Sequence, residues 1–381
     1  MARLPLLLAL ASVALALSAC GGEERPGARF IAEGNPPLLA DWGQVGLSAG
    51  DLVLGEGVVA YDMNTGLFTD YAHKLRTIWI PDGQSARYRE GDVLDFPVGT
   101  VITKTFYYPR AGQDFDERVA RTDDLSADFR NGRLDLDAVR LIETRILVHR
   151  ETGWVALPYR WNDAQTEARL HRVGAIIPLT LVADDGAEEA FNYVMPNTNQ
   201  CAGCHAPDSN SRVLSPIGPK PRHINREFAY ADGPQNQLSR LQAVGYLHGL
   251  PDDLDAVPQN ATWGDENASL DDLARAYLDV NCAHCHSPVG PADTSGLYLD
   301  PDTPFGPNLG VCKLPIAAGS GTGNRPYDIV PGEPENSILV YRIDNVEPDE
   351  MMPELGRSTI HAEGLELVER WIAAMTGSCD G

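Results

Sequence analysis

The chain has 381 residues, room for two or three domains, and its 43 % hydrophobic content is enough to build real cores. A formal net charge of −24 excludes nucleic acid and an anionic membrane surface as direct partners. It suits either steering towards a basic partner or plain solubility.

The N-terminus reads as a targeting segment. Arg3 is the only charge before Glu23, and Leu4 to Leu17 is almost all Leu and Ala. A basic start, a short apolar core and small residues before Cys20 make a secretory signal over 1–19, too short for a membrane span. Leu17-Ser18-Ala19-Cys20 resembles the lipobox of bacterial lipoproteins, which implies that Cys20 is acylated and anchors the chain to a membrane. Plain cleavage after Ala19 is the alternative. Loss of Arg3 takes the net charge from −24 to −25. Residues 20–35 are polar and Gly-rich, a tether.

Residues 36–196 carry strand signals. Val98 to Tyr108 is rich in β-branched and aromatic residues. Arg140–Arg150 and Trp154–Trp161 flank Glu151-Thr152-Gly153, and Ala175–Ala183 and Glu189–Met195 flank Asp184-Asp185-Gly186. Such hairpins predict an all-β, sandwich-like domain. His73, His149 and His171 lie here without metal-ligand spacing and read as ordinary surface or core histidines.

The pattern changes at 197–265. Cys201-Ala202-Gly203-Cys204-His205 opens this stretch, Gln237–His248 has helical spacing, and Asp252–Glu266 reads as an acidic linker. In 266–381 the spacing predicts a helix over Ser269–Asn281, capped by Ser269, running into Cys282-Ala283-His284-Cys285-His286. Leu365, Val368, Trp371, Ile372 and Met375 predict a closing helix.

Cys-x-x-Cys-His is the attachment signal of a c-type haem. Two thiols three positions apart form thioethers to one porphyrin edge, and the next residue sets an imidazole beneath the iron. Two copies predict two covalent haem c groups on Cys201, Cys204 and Cys282, Cys285, with His205 and His286 as iron ligands. A zinc ribbon is the rival, but its cysteine pairs usually lie about 15–20 residues apart, and Cys204 and Cys282 are 78 positions apart. Cys20 takes lipid and four cysteines take haem. That leaves Cys312 and Cys379, which tend to pair in an oxidising compartment. Two unpaired buried thiols are the alternative.

A helix entering the haem motif and another closing the chain resemble the class I cytochrome c domain. The resemblance implies a methionine on the loop before the last helix as distal ligand. Met352 of Met351-Met352-Pro353 fits that role, with Met351 its rival and core packing of both the plain alternative. For the first haem the candidates are Met195, His223, His248 and His361, or an open iron.

The stretches Asp95-Phe96-Pro97-Val98-Gly99-Thr100, Pro196-Asn197-Thr198-Asn199-Gln200-Cys201, Tyr277 to His286, and Met351-Met352-Pro353-Glu354-Leu355-Gly356-Arg357 resemble a bacterial family of secreted dihaem c-type cytochromes with a β-rich N-terminal domain. The resemblance covers the chain from about Leu38 onward. It implies a parallel β-helix protein as one partner. The expected fold is therefore an all-β domain followed by mainly α cytochrome c-type haem domains, with 267–381 folding alone and 196–250 sharing its haem pocket with a neighbour.

The expected function is electron carriage between periplasmic redox proteins, such as a dehydrogenase, a reductase or another cytochrome. The alternatives are a dihaem peroxidase-like enzyme with an open first iron, and a β-domain that binds a partner with the haems as a relay.

Overall fold

The computed structural model describes residues 25–112, 117–122, 129–316 and 318–379. Residues 1–19, Cys20 and the start of the tether fall outside them. Among the described residues no helix is long and apolar enough to cross a membrane.

The N-terminal part is β, as the alternating patterns require. Strands β1 Val45–Ser48, β2 Asp51–Leu54, β3 Val59–Tyr61, β4 His73–Trp79, β5 Ala86–Arg87, β6 Val101–Pro109, β7 Arg118–Ala120, β8 Phe129–Arg130, β9 Arg133–Asp135, β10 Val139–Arg150, β11 Gly153–Trp161, β12 Ala168–Leu170, β13 Ala175–Val182 and β14 Glu188–Met195 follow in order. Six of them form one antiparallel sheet, β12-β11-β10-β6-β4-β3. The two expected hairpins are β10–β11 and β13–β14.

Register decides what each face of this sheet does, because successive side chains point to opposite sides. One face presents Leu75, Val101, Ile146, Val148, Leu157 and Tyr159 to Leu52, Leu54 and Leu134 of the smaller sheet β1-β2-β9-β8 and to Trp42, which precedes it. That is the sandwich. The other face presents Ile78, Ile102, Leu147 and Ala156, and residues from beyond the β region cover it: Ile224, Leu238, Leu241, Leu247, Leu250 and Val257.

Residues 197–265 are therefore a coat on the sheet. They contain the short helices α1 Cys201–His205, α2 Pro221–Ile224 and α3 Gln237–Ala243. The last was expected to reach His248. It stops early because Gly245 turns into the left-handed region (φ 81°), and Leu247–His248 then pairs with β5.

The expected mainly α haem domains are not found. Strand accounts for 27 % and helix for 20 % of the structure. The expected terminal helices exist as α4 Leu270–Leu278 and α6 Ala362–Ala373, with α5 Ile338–Ile343 between them. Ser269 caps α4, its Oγ accepting from Asp272 N at 3.1 Å. Most of the chain between α4 and α6 is loop and single 3-10 turns. Eleven prolines and nine glycines between Asn281 and His361 remove donors and helical preference. α4 and α6 pack closely: a Cβ on Gly364 would lie 2.5 Å from Tyr277 Oη and 2.6 Å from His361 Nδ1.

The C-terminal part is also tied to the β region. Phe68 N donates to Asn281 Oδ1 at 2.8 Å, Tyr71 Oη donates to Glu363 at 2.6 Å, and Phe68 stacks on His361 at 4.3 Å. Buried Asp279 accepts from Arg222 Nε (2.7 Å) and Nη2 (2.8 Å), from Asn260 (2.9 Å) and from His223 Nε2 (2.8 Å).

Cys312 and Cys379 form a disulfide, 67 positions apart with a Cα–Cα distance of 5.1 Å. In the chain-entropy account a loop of that length contributes about 4 kcal/mol. The double variant Cys312→Ser/Cys379→Ser is expected to lose up to that amount in urea unfolding. An unchanged midpoint would show that the loop is already constrained in the unfolded chain.

Candidate functional site

The first motif starts from an Asn turn. Asn197 Oδ1 accepts from Asn199 N at 2.9 Å and Gln200 N at 3.0 Å, which turns the chain off the end of β14 and into α1. Cys201 then packs against the covered face of the large sheet. His205 Nδ1 lies 3.2 Å from Ser215 O. With Nδ1 as donor there, Nε2 carries the free lone pair, the arrangement an iron-binding imidazole needs. Burial and the nearby Lys104 push His205 down to about 3, so the ring is neutral.

The sheet beside this motif is cationic. Arg76, Lys104 and Arg145 are paired in register across β4, β6 and β10. Next to them stands Phe106, with the Arg145 guanidinium 4.2 Å, Lys74 Nζ 5.7 Å and Lys104 Nζ 5.9 Å from its ring centre. Arg76 pairs with Asp62 at 3.0 Å and Arg145 with buried Glu143 at 2.5 Å. Lys104 has no carboxylate or carbonyl partner among the described residues; burial, then Arg76 and Arg145, push it down to about 7.

The second motif follows α4 through a wide turn, Asp279–Ala283. Cys282, Cys285 and His286 open onto a cavity of about 760 Å3, within the range of about 300–1,000 Å3 usual for sites that enclose a small molecule. Apolar walls come from Leu297, Leu299, Ile338 and Leu339. Met352 lines the cavity. Met351, 8 % exposed, is turned into the protein and does not line it. Burial pushes His286 down to about 4, again a neutral ring.

The methionine loop is held by a residue whose role the sequence did not announce. Buried Arg357 donates to the carbonyls of Asn345 (2.7 Å), Met352 (2.8 Å), Thr359 (3.0 Å) and Arg342 (3.1 Å). Asp70, in the β region, anchors the next two residues. Its Oδ1 accepts from Ser358 N (2.6 Å), Thr359 N (2.8 Å) and Thr359 Oγ1 (3.0 Å).

The two motifs touch. Cys285 Sγ lies 3.9 Å from Gly203 O, and Gly203 and Cys204 line the cavity of the second motif. Ser209 N donates to Val289 O at 2.9 Å and Ser209 Oγ to Asp293 Oδ2 at 3.2 Å, joining the loops that follow them. All four motif cysteines are free thiols. Among the described residues no group of three or more His, Cys, Asp or Glu is placed to hold a metal ion by side chains alone. The residues fit haem. Each motif offers two free thiols and one neutral imidazole, and the second adds an apolar cavity with a thioether in its wall.

The four candidates for the first iron are engaged elsewhere. Met195 is in the core at 1 % exposure. His223 Nε2 is on Asp279. His248 is exposed, with Nδ1 2.9 Å from Ser85 Oγ. His361 sits among Phe68, Trp263 and Tyr277 with Nδ1 3.2 Å from Tyr277 Oη. His284, inside the second motif, went unremarked because it occupies a position the motif leaves open.

No family model matches the chain, and neither a curated protein nor a solved structure does.

Asp70 generates a pH test. Burial, against the hydrogen bonds from Ser358 and Thr359, pushes its carboxyl up to about 6, above the ordinary value near 3.9. The folded chain then binds the proton more tightly than the unfolded one. This contribution is full below about pH 4 and is lost as pH rises through about 6, roughly 3 kcal/mol in all. Asp70→Asn keeps an acceptor at Oδ1 and cannot titrate. In urea unfolding its stability relative to the native chain should improve by about that amount between pH 4 and pH 7. A constant difference over that range would show that Asp70 does not titrate there.

Proposed function

We propose that the chain is a dihaem electron carrier, with one haem c on Cys201, Cys204 and His205 and another on Cys282, Cys285 and His286. The observation that carries this reading is the contact between the two pentapeptides, Cys285 Sγ to Gly203 O at 3.9 Å. Motifs 78 positions apart in sequence meet side by side, with their thiols free. Bound haem would supply reversible one-electron chemistry at two neighbouring irons.

The protein's own groups do the rest. The neutral rings of His205 and His286 present lone pairs, the first steered by the Ser215 carbonyl. Apolar residues around the second motif exclude water. Arg357 grips the carbonyl of Met352 and fixes where its thioether stands. A thioether raises the potential of its iron relative to a second imidazole. The cationic row on the sheet disfavours added positive charge near the first motif. The reading also includes export, acylation at Cys20 and a periplasmic redox partner that meets the acidic surface with basic residues.

The holoprotein should carry two added haem masses, and Cys285→Ala should lose stable covalent attachment at one site only. One haem, or zinc, in the native protein overturns the reading.

Met352→Ala should abolish the near-infrared band of thioether-ligated ferric haem and lower the potential of one haem by a readily resolved part of the roughly 0.8 V that axial ligation spans. Met351→Ala should keep the band and lose stability instead, about 2–5 kcal/mol for a buried methionine. The reverse pattern would make Met351 the ligand.

A further inference from the structure

We infer that His284 supplies the second axial nitrogen to the iron held by the first motif. A residue inside one haem-binding pentapeptide thus completes the site of the other. The inference rests on the dihaem reading above and adds to it the ligand that sequence analysis left open.

The first ground is position. His284 follows the wide turn Asp279–Ala283 and lines the cavity onto which Cys282, Cys285 and His286 open. The first motif sits against this turn. Gly203 O approaches Cys285 Sγ, and Ser209 N is bonded to Val289 O. His284 shares a cavity wall with Gly203 and Cys204.

The second ground is an unmet bond. His284 Nδ1 is buried and has no hydrogen-bond partner. Leaving a buried polar atom unmatched costs about 1–3 kcal/mol. A neutral imidazole carries its proton on one nitrogen and a lone pair on the other. His223 Nδ1 and His286 Nδ1 are unpartnered in the same way, but His223, His248 and His361 each commit one ring nitrogen to a hydrogen bond, and His284 commits neither.

The consequence is chemical. With His205 and His284 as its two ligands, the first iron is six-coordinate and closed to peroxide. Two imidazoles also set its potential below that of the thioether-ligated second iron. The chain would then offer a step in potential between adjacent haems, with the lower one on the β-sheet side.

The test uses the full-length holoprotein, with haem content counted first by mass. A native protein with fewer than two haems refutes the dihaem reading itself, independently of His284. With two haems present, near-infrared magnetic circular dichroism of the ferric native protein should show one bis-imidazole haem and one imidazole–thioether haem. Absence of the bis-imidazole signature overturns the inference without any variant. His284→Ala should turn half of the haem high-spin and open it to carbon monoxide or cyanide, and added imidazole should restore the low-spin spectrum. His284→Met should stay low-spin and double the thioether band. A two-haem His284→Ala protein that keeps both native signatures and stays closed to carbon monoxide assigns the ligand elsewhere, with Lys104 the nearest rival.

Discussion

Buried Asp279 is the point on which both motifs depend. It ends α4 three residues before Cys282, and it is gripped by Arg222 and His223 from α2 and by Asn260 from the linker. Burial alone would raise its carboxyl, but the hydrogen bonds from Arg222 and His223 win and hold it well below the usual carboxylate range. Asn260 in turn presents its carbonyl to Asn64 of the β region at 2.7 Å. One carboxylate therefore fixes the second motif against the coat that carries the first. Removing one partner from such a buried charge network costs about 3–5 kcal/mol. Here the loss would also break the register between the two pentapeptides.

The electrostatics invert between envelope and interior. The chain is strongly acidic overall, yet Lys74, Lys104 and Arg145 gather around Phe106 with Arg76 beside Lys104 in register, and Asp62 and Glu143 are the anions paired among them in the described residues. Net charge describes what a distant partner feels. It says nothing about the field at a half-buried site, where screening by water is weaker. A basic floor inside an acidic shell comes from strand register. Arg76, Lys104 and Arg145 are scattered in sequence and become neighbours only when β4, β6 and β10 pair.

What the sequence made legible was local. The hairpins β10–β11 and β13–β14, the Ser269 cap and the stripes of α4 and α6 are patterns within one element, so they can be read without the fold. The Met-Met-Pro loop was legible for the same reason, although only the structure separates Met352 in the cavity wall from Met351 in the core. The extension from two real helices to mainly α domains failed. Helical periodicity was present at the two ends, and the Pro- and Gly-rich stretch between them had none. Reliance of the first haem segment on a neighbour was expected, whereas the docking of the C-terminal part on the β region was invisible. It rests on pairs such as Asp70 with Thr359 and Tyr71 with Glu363, separated by 289 and 292 positions. Arg357 stood inside a quoted motif, but it holds the carbonyls of Arg342, Asn345 and Met352, which no spacing rule names.

Gly364 shows what this packing means for anyone who wishes to toughen the protein. Replacing an interior helix glycine with alanine ordinarily contributes about 0.5–1 kcal/mol through backbone entropy. At Gly364 the added methyl would meet Tyr277 at 2.5 Å and His361 at 2.6 Å. Both are rings locked into an aromatic group with Trp263. The strain would travel along α4 towards the second motif and, through His361, to Phe68 in the β region. The helix crossing has used up the slack that alanine needs, so thermal hardening of this chain has to begin at its exposed turns.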